Sequence, residues 1–201
     1  YLGSLTVAAL AARGDVQVVS LDVREPQQRA PGAVYELADI RSPALSNMVA
    51  RHAPQVVVHL ASIVTPGKNS RREFEYDVDV NGTRNILEAC VQHGVQRIIV
   101  SSSGAAYGYH ADNPEWLVES DAIRGNEAFA YACHKRLVEE MLADYRQAHP
   151  ALEQTIFRIG TILGPTVRNQ ITDLFEKPRL LAIAGSESSF VFIHDQDEVG
   201  A

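Results

Sequence analysis

A chain of 201 residues, 46% of them apolar and 21% charged, can bury one sizeable core and excludes a disordered, collagen-like or coiled-coil protein. Its 25 acidic and 18 basic residues give a formal charge of -7, and with the arginines scattered this argues against nucleic acid as a partner. Two cysteines (Cys90, Cys133) and seven unclustered histidines predict neither a disulfide scaffold nor a metal site and fit a reducing cytoplasm, and no apolar run approaches the roughly 20 residues of a membrane span.

The chain opens on YLGSLTVAALAARG, whose periodicity predicts a helix over Ser4–Arg13 entered through Gly3. A glycine at a helix start lets phosphate oxygens approach the exposed N–H groups, where the helix dipole favours negative charge. VQVVSLD then reads as a strand ending in Asp22, the place for an acid that takes both hydroxyls of an adenosine ribose and repels a 2'-phosphate. The structural alternative is a plain helix start followed by a strand-end turn residue. Asp22 favours NAD as the cofactor, while Arg24 keeps NADP open as the second choice.

Further strands are predicted at AVYELAD (33–39), QVVVHLAS (55–62), RIIVSSS (97–103) and QTIFRIG (154–160), mostly without polar alternation, as in strands covered on both faces. Helices are predicted over Pro43–His52, Arg71–His93 and Asn126–His149. Alternation of strand and helix implies an α/β fold with a doubly wound parallel sheet. After Gly164-Pro165 the pattern loosens into two short strands, Pro178–Gly185 and Ser188–Asp195. Such a sheet ordinarily begins with a strand, so the expectation is a longer protein trimmed at both ends. Residues 1–165 are expected to form a nucleotide-binding domain lacking its first strand, and 166–201 to begin a small, mostly missing C-terminal substrate lobe.

Within the last long helix, YACHK places Tyr131 four residues before Lys135, on one helix face. A phenol exchanges protons near neutral pH only if its anion is stabilised, and a neighbouring ammonium is expected to lower its pKa. With seven tyrosines in the chain, the spacing alone is a weak signal.

Several motifs in order resemble the extended short-chain dehydrogenase/reductase family, which includes NAD-dependent sugar-nucleotide epimerases and dehydratases. YLG resembles the end of its glycine fingerprint, VVSLDVRE its ribose-binding strand end and ELADIRS its adenine-flanking Asp-Ile. HLAS resembles the strand end beneath the cofactor, DVNGTRNILEAC the N-V-x-G-T helix, VSSSGAAYG the S-S-x-x-x-Y-G strand end, and RIGTILGP the R-x-x-x-x-x-G-P loop. The resemblance implies a Rossmann-like fold that binds NAD through Gly3, Asp22, Asp39, Ile40, Leu60, Ala61, Ser62, Tyr131 and Lys135. It further implies Tyr131 as catalytic acid/base, Lys135 as the holder of the nicotinamide ribose, and Ser103 as the hydroxyl that hydrogen-bonds the reacting oxygen. Taken alone, the three serines could equally be a polar strand end. Arg158 is a candidate for a substrate phosphate or, equally, a salt-bridge partner; His194 and Asp195 resemble a family segment near the substrate lobe, with a purely structural role as the alternative, and Cys133 reads as packing.

Two departures stand out. Asp79 replaces the usual Asn of N-V-x-G-T, and Ser103-Gly104-Ala105 stands where dehydrating relatives carry Thr-Asp-Glu, removing the acid and base that water elimination needs. The expectation is therefore a nucleotide-sugar epimerase. The alternatives are a dehydrogenase or reductase of a steroid-like or other small carbonyl compound, and a non-catalytic NAD-sensing module. The two long helices resemble those through which the family pairs into homodimers.

Overall fold

A computed structural model describes residues 1–179, 184–185 and 190–201. Helix α1 (Leu2–Arg13) ends at Gly14, whose φ of 73° supplies the left-handed turn that a glycine takes without strain. It leads into β1 (Val18–Asp22), which pairs in parallel with β2 (Ala33–Leu37). Helix α2 (Ala44–His52) then connects to β3 (Val56–His59). A long helical segment follows, built from α3 (Arg72–Tyr76), one π-helical turn (Asp77–Asn81) and α4 (Gly82–Gln92), and it delivers the chain to β4 (Arg97–Ser103). After a 3₁₀ turn (Gly104–Tyr107), α5 (Ala130–Ala148) crosses over to β5 (Glu153–Ile159). Strand β4 lies between β3 and β5, parallel to both. Parallel neighbours need such helical crossovers because no tight turn can join them.

The core forms on one face of β4. Ile98 and Val100 meet Ile86, Leu87 and Cys90 of α4 and Val138, Met141 and Leu142 of α5, with Leu45 and Val49 of α2 at the margin. Leu87 and Leu142 are wholly buried, each contributing about 1.5–3 kcal/mol. At the start of α4 a glycine is required by packing: a Cβ on Gly82 would lie 2.6 Å from Cγ2 of Ile40.

The expected α/β fold with parallel strands is present, and two element boundaries differ. Among the described residues the strands hydrogen-bond as β1-β2, β3-β4-β5 and β6 (Thr161–Leu163) with β7 (Phe192–His194), and β6 comes from the RIGTILGP stretch read as a loop. Strand β3 stops at His59 rather than Ser62, and its Val56 and Val58 remain 46% and 36% exposed, so burial on both faces does not hold there. Of the two strands expected near the C-terminus, half of Pro178–Gly185, residues 180–183, lies outside the described residues. The other shrinks to β7 (Phe192–His194), because Asp195 opens helix α7 (Asp195–Gly200). Helix α6 (Gln170–Phe175) carries a capping box at Asn169, which accepts from Ile171 and Thr172 N–H at 2.9 Å while Thr172 Oγ1 accepts from Asn169 N–H at 3.0 Å.

Candidate active site

Strand β4 pairs with β3 only through Val100 but with β5 through Ser103, so its last three residues extend past β3 while remaining paired with β5. Ser103 ends the strand, and its Oγ accepts from Ala105 N–H at 3.1 Å, capping the 3₁₀ turn. Helix α5 brings Tyr131, in its first turn, to this strand end, where the Ser103 side chain favours the phenolate. One turn on, Lys135 Nζ lies 5.5 Å from the Tyr131 ring centroid and donates to Ser101 O at 2.8 Å. Ser103, Tyr131 and Lys135 are thus brought together at the carboxyl end of the central strand, where open α/β sheets carry their ligands.

The electrostatics correct one expectation. Burial pushes the Tyr131 phenol above its ordinary pKa, Ser103 opposes this, and Asp79 and Tyr109 add to it. The lysine does not bring it down: Nζ sits over the ring and bonds a backbone carbonyl, and burial lowers the ammonium's own pKa against the pull of Asp79 and Glu139. The interior position that aligns the two groups also disfavours the charge on each.

The predicted cofactor contacts are less concentrated. Gly3 lies in the first turn of α1, where a Cβ would make ordinary contact with Leu60 Cδ1 at 3.9 Å, so packing does not demand the glycine. Asp22 is exposed at the end of β1 and accepts from Arg24 N–H at 2.9 Å. Asp39 is paired with Arg41 at 2.6 Å, which holds its carboxyl below the usual range, and the Ile40 carbonyl accepts from Asn85 Nδ2 at 3.0 Å. Ala61 and Ser62 follow β3, and the Ser62 hydroxyl is buried without a hydrogen-bond partner among the described residues.

Arg158 takes the salt-bridge role rather than presenting itself to a phosphate. Nε and Nη2 clasp Glu139 at 2.9 and 2.7 Å, and Nη1 donates to the Tyr107 hydroxyl at 2.7 Å and to Glu119 O at 3.0 Å. Glu139 also accepts from Ser102 Oγ. Cys133 is packed inside against Glu127, while His194 and Asp195 cap and open α7. Sequence reading missed Glu139, although it continues the four-residue steps of Tyr131 and Lys135. It also missed the contact of His134 Nδ1 with Asp79 and the bond between His59 Nε2 and Thr83 Oγ1. Among the described residues no three His, Cys, Asp or Glu gather to hold a metal, and no helix is long and apolar enough to cross a membrane.

His59 has a testable consequence. Burial, and then the Lys135 charge, depress its pKa from 6.5 to about 4. The unfolded chain therefore binds the extra proton first, so the stability held above pH 6.5 is lost as the pH falls toward 4, by about 3 kcal/mol at most. Urea midpoints should drop between pH 7 and 4.5 in the wild type and markedly less in His59→Asn.

A parallel α/β sheet with a serine, a tyrosine and a lysine gathered at the end of its central strand defines a Rossmann-like, nucleotide-binding class of protein. The chain belongs to the NAD dependent epimerase/dehydratase family, which matches residues 1–189. It is 30% identical over 175 residues to the UDP-glucose 4-epimerase of Erwinia amylovora, an alignment covering 82% of this chain and 51% of the relative. Among solved structures it resembles MoeE5 in complex with UDP-glucuronic acid and NAD, at a TM-score of 0.80 and 25% identity, covering 100% of this chain and 67% of the other. It also resembles the UDP-glucose 4-epimerase of Brucella ovis in complex with NAD, at a TM-score of 0.70 and 28% identity over 82% of this chain and 50% of the other. The chain spans about half the length of the curated relatives it matches.

Proposed function

We propose that this chain is the nucleotide-binding part of an NAD-dependent nucleotide-sugar epimerase. The observation that carries the reading is the placement of Ser103, Tyr131 and Lys135 at one strand end, and the likeness to UDP-sugar 4-epimerases supports the substrate class.

The residues fit the cofactor. The first turn of α1, which contains Gly3, would receive a pyrophosphate, Asp22 offers an exposed carboxylate for a ribose, and Ser62 a buried hydroxyl that lacks a partner among the described residues. Asp39, Ile40, Leu60 and Ala61 would line the remainder, with Tyr131 and Lys135 toward the nicotinamide end. When bound, NAD supplies a hydride acceptor that returns the hydride at the end of the cycle.

Tyr131 removes the proton from a sugar hydroxyl as that carbon is oxidised, and gives it back when the carbonyl is reduced on its other face. Ser103 holds the same oxygen, since a hydroxyl both donates and accepts and so suits an alcohol and a ketone alike. Lys135, with Nζ over the Tyr131 ring, would hold the nicotinamide ribose beside it. No carboxyl stands at 104 or 105, so dehydration has no agents there. The same proposal includes a division at 165 into nucleotide-binding domain and substrate lobe, a homodimer formed through α4 and α5, and a cytoplasmic location.

Denaturing full-length protein purified without added cofactor tests the cofactor reading. Mass spectrometry of the released molecules should find NAD(H) near one per chain. Protein that releases none and binds neither NAD nor NADP would overturn it.

A further inference from the structure

Two further rings continue the candidate site toward solvent. Phe129, the N-cap residue of α5, has its ring centroid 6.2 Å from that of Tyr131 and 6.0 Å from that of Tyr109. The planes are tilted by 47° and 38°, so the rings meet in sequence as Tyr131, Phe129 and Tyr109 rather than in one stack. Exposure grows along that series: Tyr131 is half-buried, Phe129 is 47% exposed and Tyr109 is 68% exposed.

The backbone that carries the two outer rings is held in place. Asn126 Oδ1 accepts from Tyr109 N–H at 2.7 Å, its Nδ2 donates to Tyr109 O at 3.3 Å, and its carbonyl accepts from Phe129 N–H at 3.1 Å. One asparagine thus clamps both ring-bearing residues. Gly125 allows the clamp to lie against the first turn of α5, where a Cβ would strike Ala132 O. Arg72, on α3, donates to Glu127 O at 2.6 Å and ties the same loop to the long helical segment.

Single apolar side chains on a surface need no explanation, but adjoining rings beside a few convergent polar groups are what lines a ligand pocket. Here the polar groups are the Ser103 and Tyr131 hydroxyls, so the group that covers the rings is the one that Tyr131 acts on. A pyranose has an apolar C–H face as well as a rim of hydroxyls, and an aromatic ring can meet that face without directional bonds. Such a wall suits a sugar that must present first one face and then the other of the same carbon.

We propose that Tyr109 and Phe129 are specificity-determining residues: an aromatic platform, continuous with Tyr131, that carries the hexose ring of the nucleotide sugar in both orientations. The platform rests on the epimerase reading for its substrate class, and it holds the hexose rather than the nucleotide.

Calorimetric titration of the full-length, NAD-loaded protein with UDP-glucose and with UDP separates the two parts of the ligand. Tyr109→Ala and Phe129→Ala should each weaken UDP-glucose by about threefold to tenfold, the range of one aromatic contact, and change UDP affinity by less than about twofold. Tyr109→Phe and Phe129→Tyr keep the rings and should keep the wild-type ratio of the two dissociation constants. An unchanged ratio in either alanine variant, or an equal loss for UDP, would overturn the platform. Should Phe129→Ala fail to fold, Phe129→Leu, which stays apolar without a flat ring, decides for that position. Turnover of UDP-glucose, measured alongside, keeps the two readings apart. A wild type that epimerises while the alanine variants retain its binding ratio loses only the platform. A wild type that binds UDP-glucose through these rings without epimerising it loses only the epimerase reading, and one that binds neither compound loses both.

Discussion

Tyr131→Phe should lower turnover by about 10²–10⁴-fold, the usual contribution of a positioned general acid/base, while leaving dinucleotide affinity nearly unchanged. The substitution removes one oxygen and keeps the ring, which packs on Phe129 with centroids 6.2 Å apart and lies beneath Lys135. Folding and the ammonium position are therefore preserved, and the loss falls on kcat rather than on KM, as it does when an interaction made in the transition state is deleted. Steady-state kinetics together with a dinucleotide titration separate the two quantities. Unchanged turnover would remove Tyr131 from the mechanism, and a matching loss of dinucleotide binding would mean that the ring merely shapes the pocket.

Arg158→Ala should destabilise the fold by about 3–5 kcal/mol, because it leaves Glu139, 3% exposed, as a buried carboxylate without its cation. For a chain of this size that corresponds to a fall in Tm on the order of 10 °C. The guanidinium also stacks over the Tyr107 ring at 4.7 Å, so it ties β5 to α5 and to the 3₁₀ turn that follows Ser103. Arg158→Lys should recover only part of the loss, since a point charge cannot clasp Glu139 at two nitrogens and reach Tyr107 as well. Thermal unfolding of the three proteins checks this. A variant of unaltered stability with a raised KM would instead make Arg158 a substrate ligand.

Local pattern and tertiary placement account for what was legible in the sequence. Apolar runs such as RIIVSSS and the period of EAFAYACHKRLVEEMLADYRQA are local signals: β4 matches the expected Arg97–Ser103, while α5 ends at Ala148 but begins at Ala130 rather than Asn126. The pairing of Tyr131 with Lys135 was legible in the four-residue helical step, whereas Ser103 was singled out among the three serines only by resemblance. The direction of the Tyr131 pKa was not legible, since burial is set by the packed neighbours and outweighs a lysine placed over the ring. The π turn at Asp79, its meeting with His134 from a distant helix, and the clasp of Arg158 on Glu139 likewise depend on contacts far apart in sequence. Cofactor contacts inferred from Asp22 and Asp39 rested on resemblance, and both carboxylates engage nearby arginines, Asp22 through the Arg24 N–H and Asp39 through the Arg41 side chain.

The central claim, hydride transfer and return at one sugar carbon, is tested most directly by incubating the full-length protein with UDP-glucose in D₂O and following the sugar by ¹H nuclear magnetic resonance and mass spectrometry. UDP-glucose and its 4-epimer should reach an equilibrium mixture with no deuterium on the new C4 and no net NADH. A deuterated C4, NADH accumulating in step with oxidised sugar, or no epimer from UDP-glucose or its N-acetyl counterpart would contradict it.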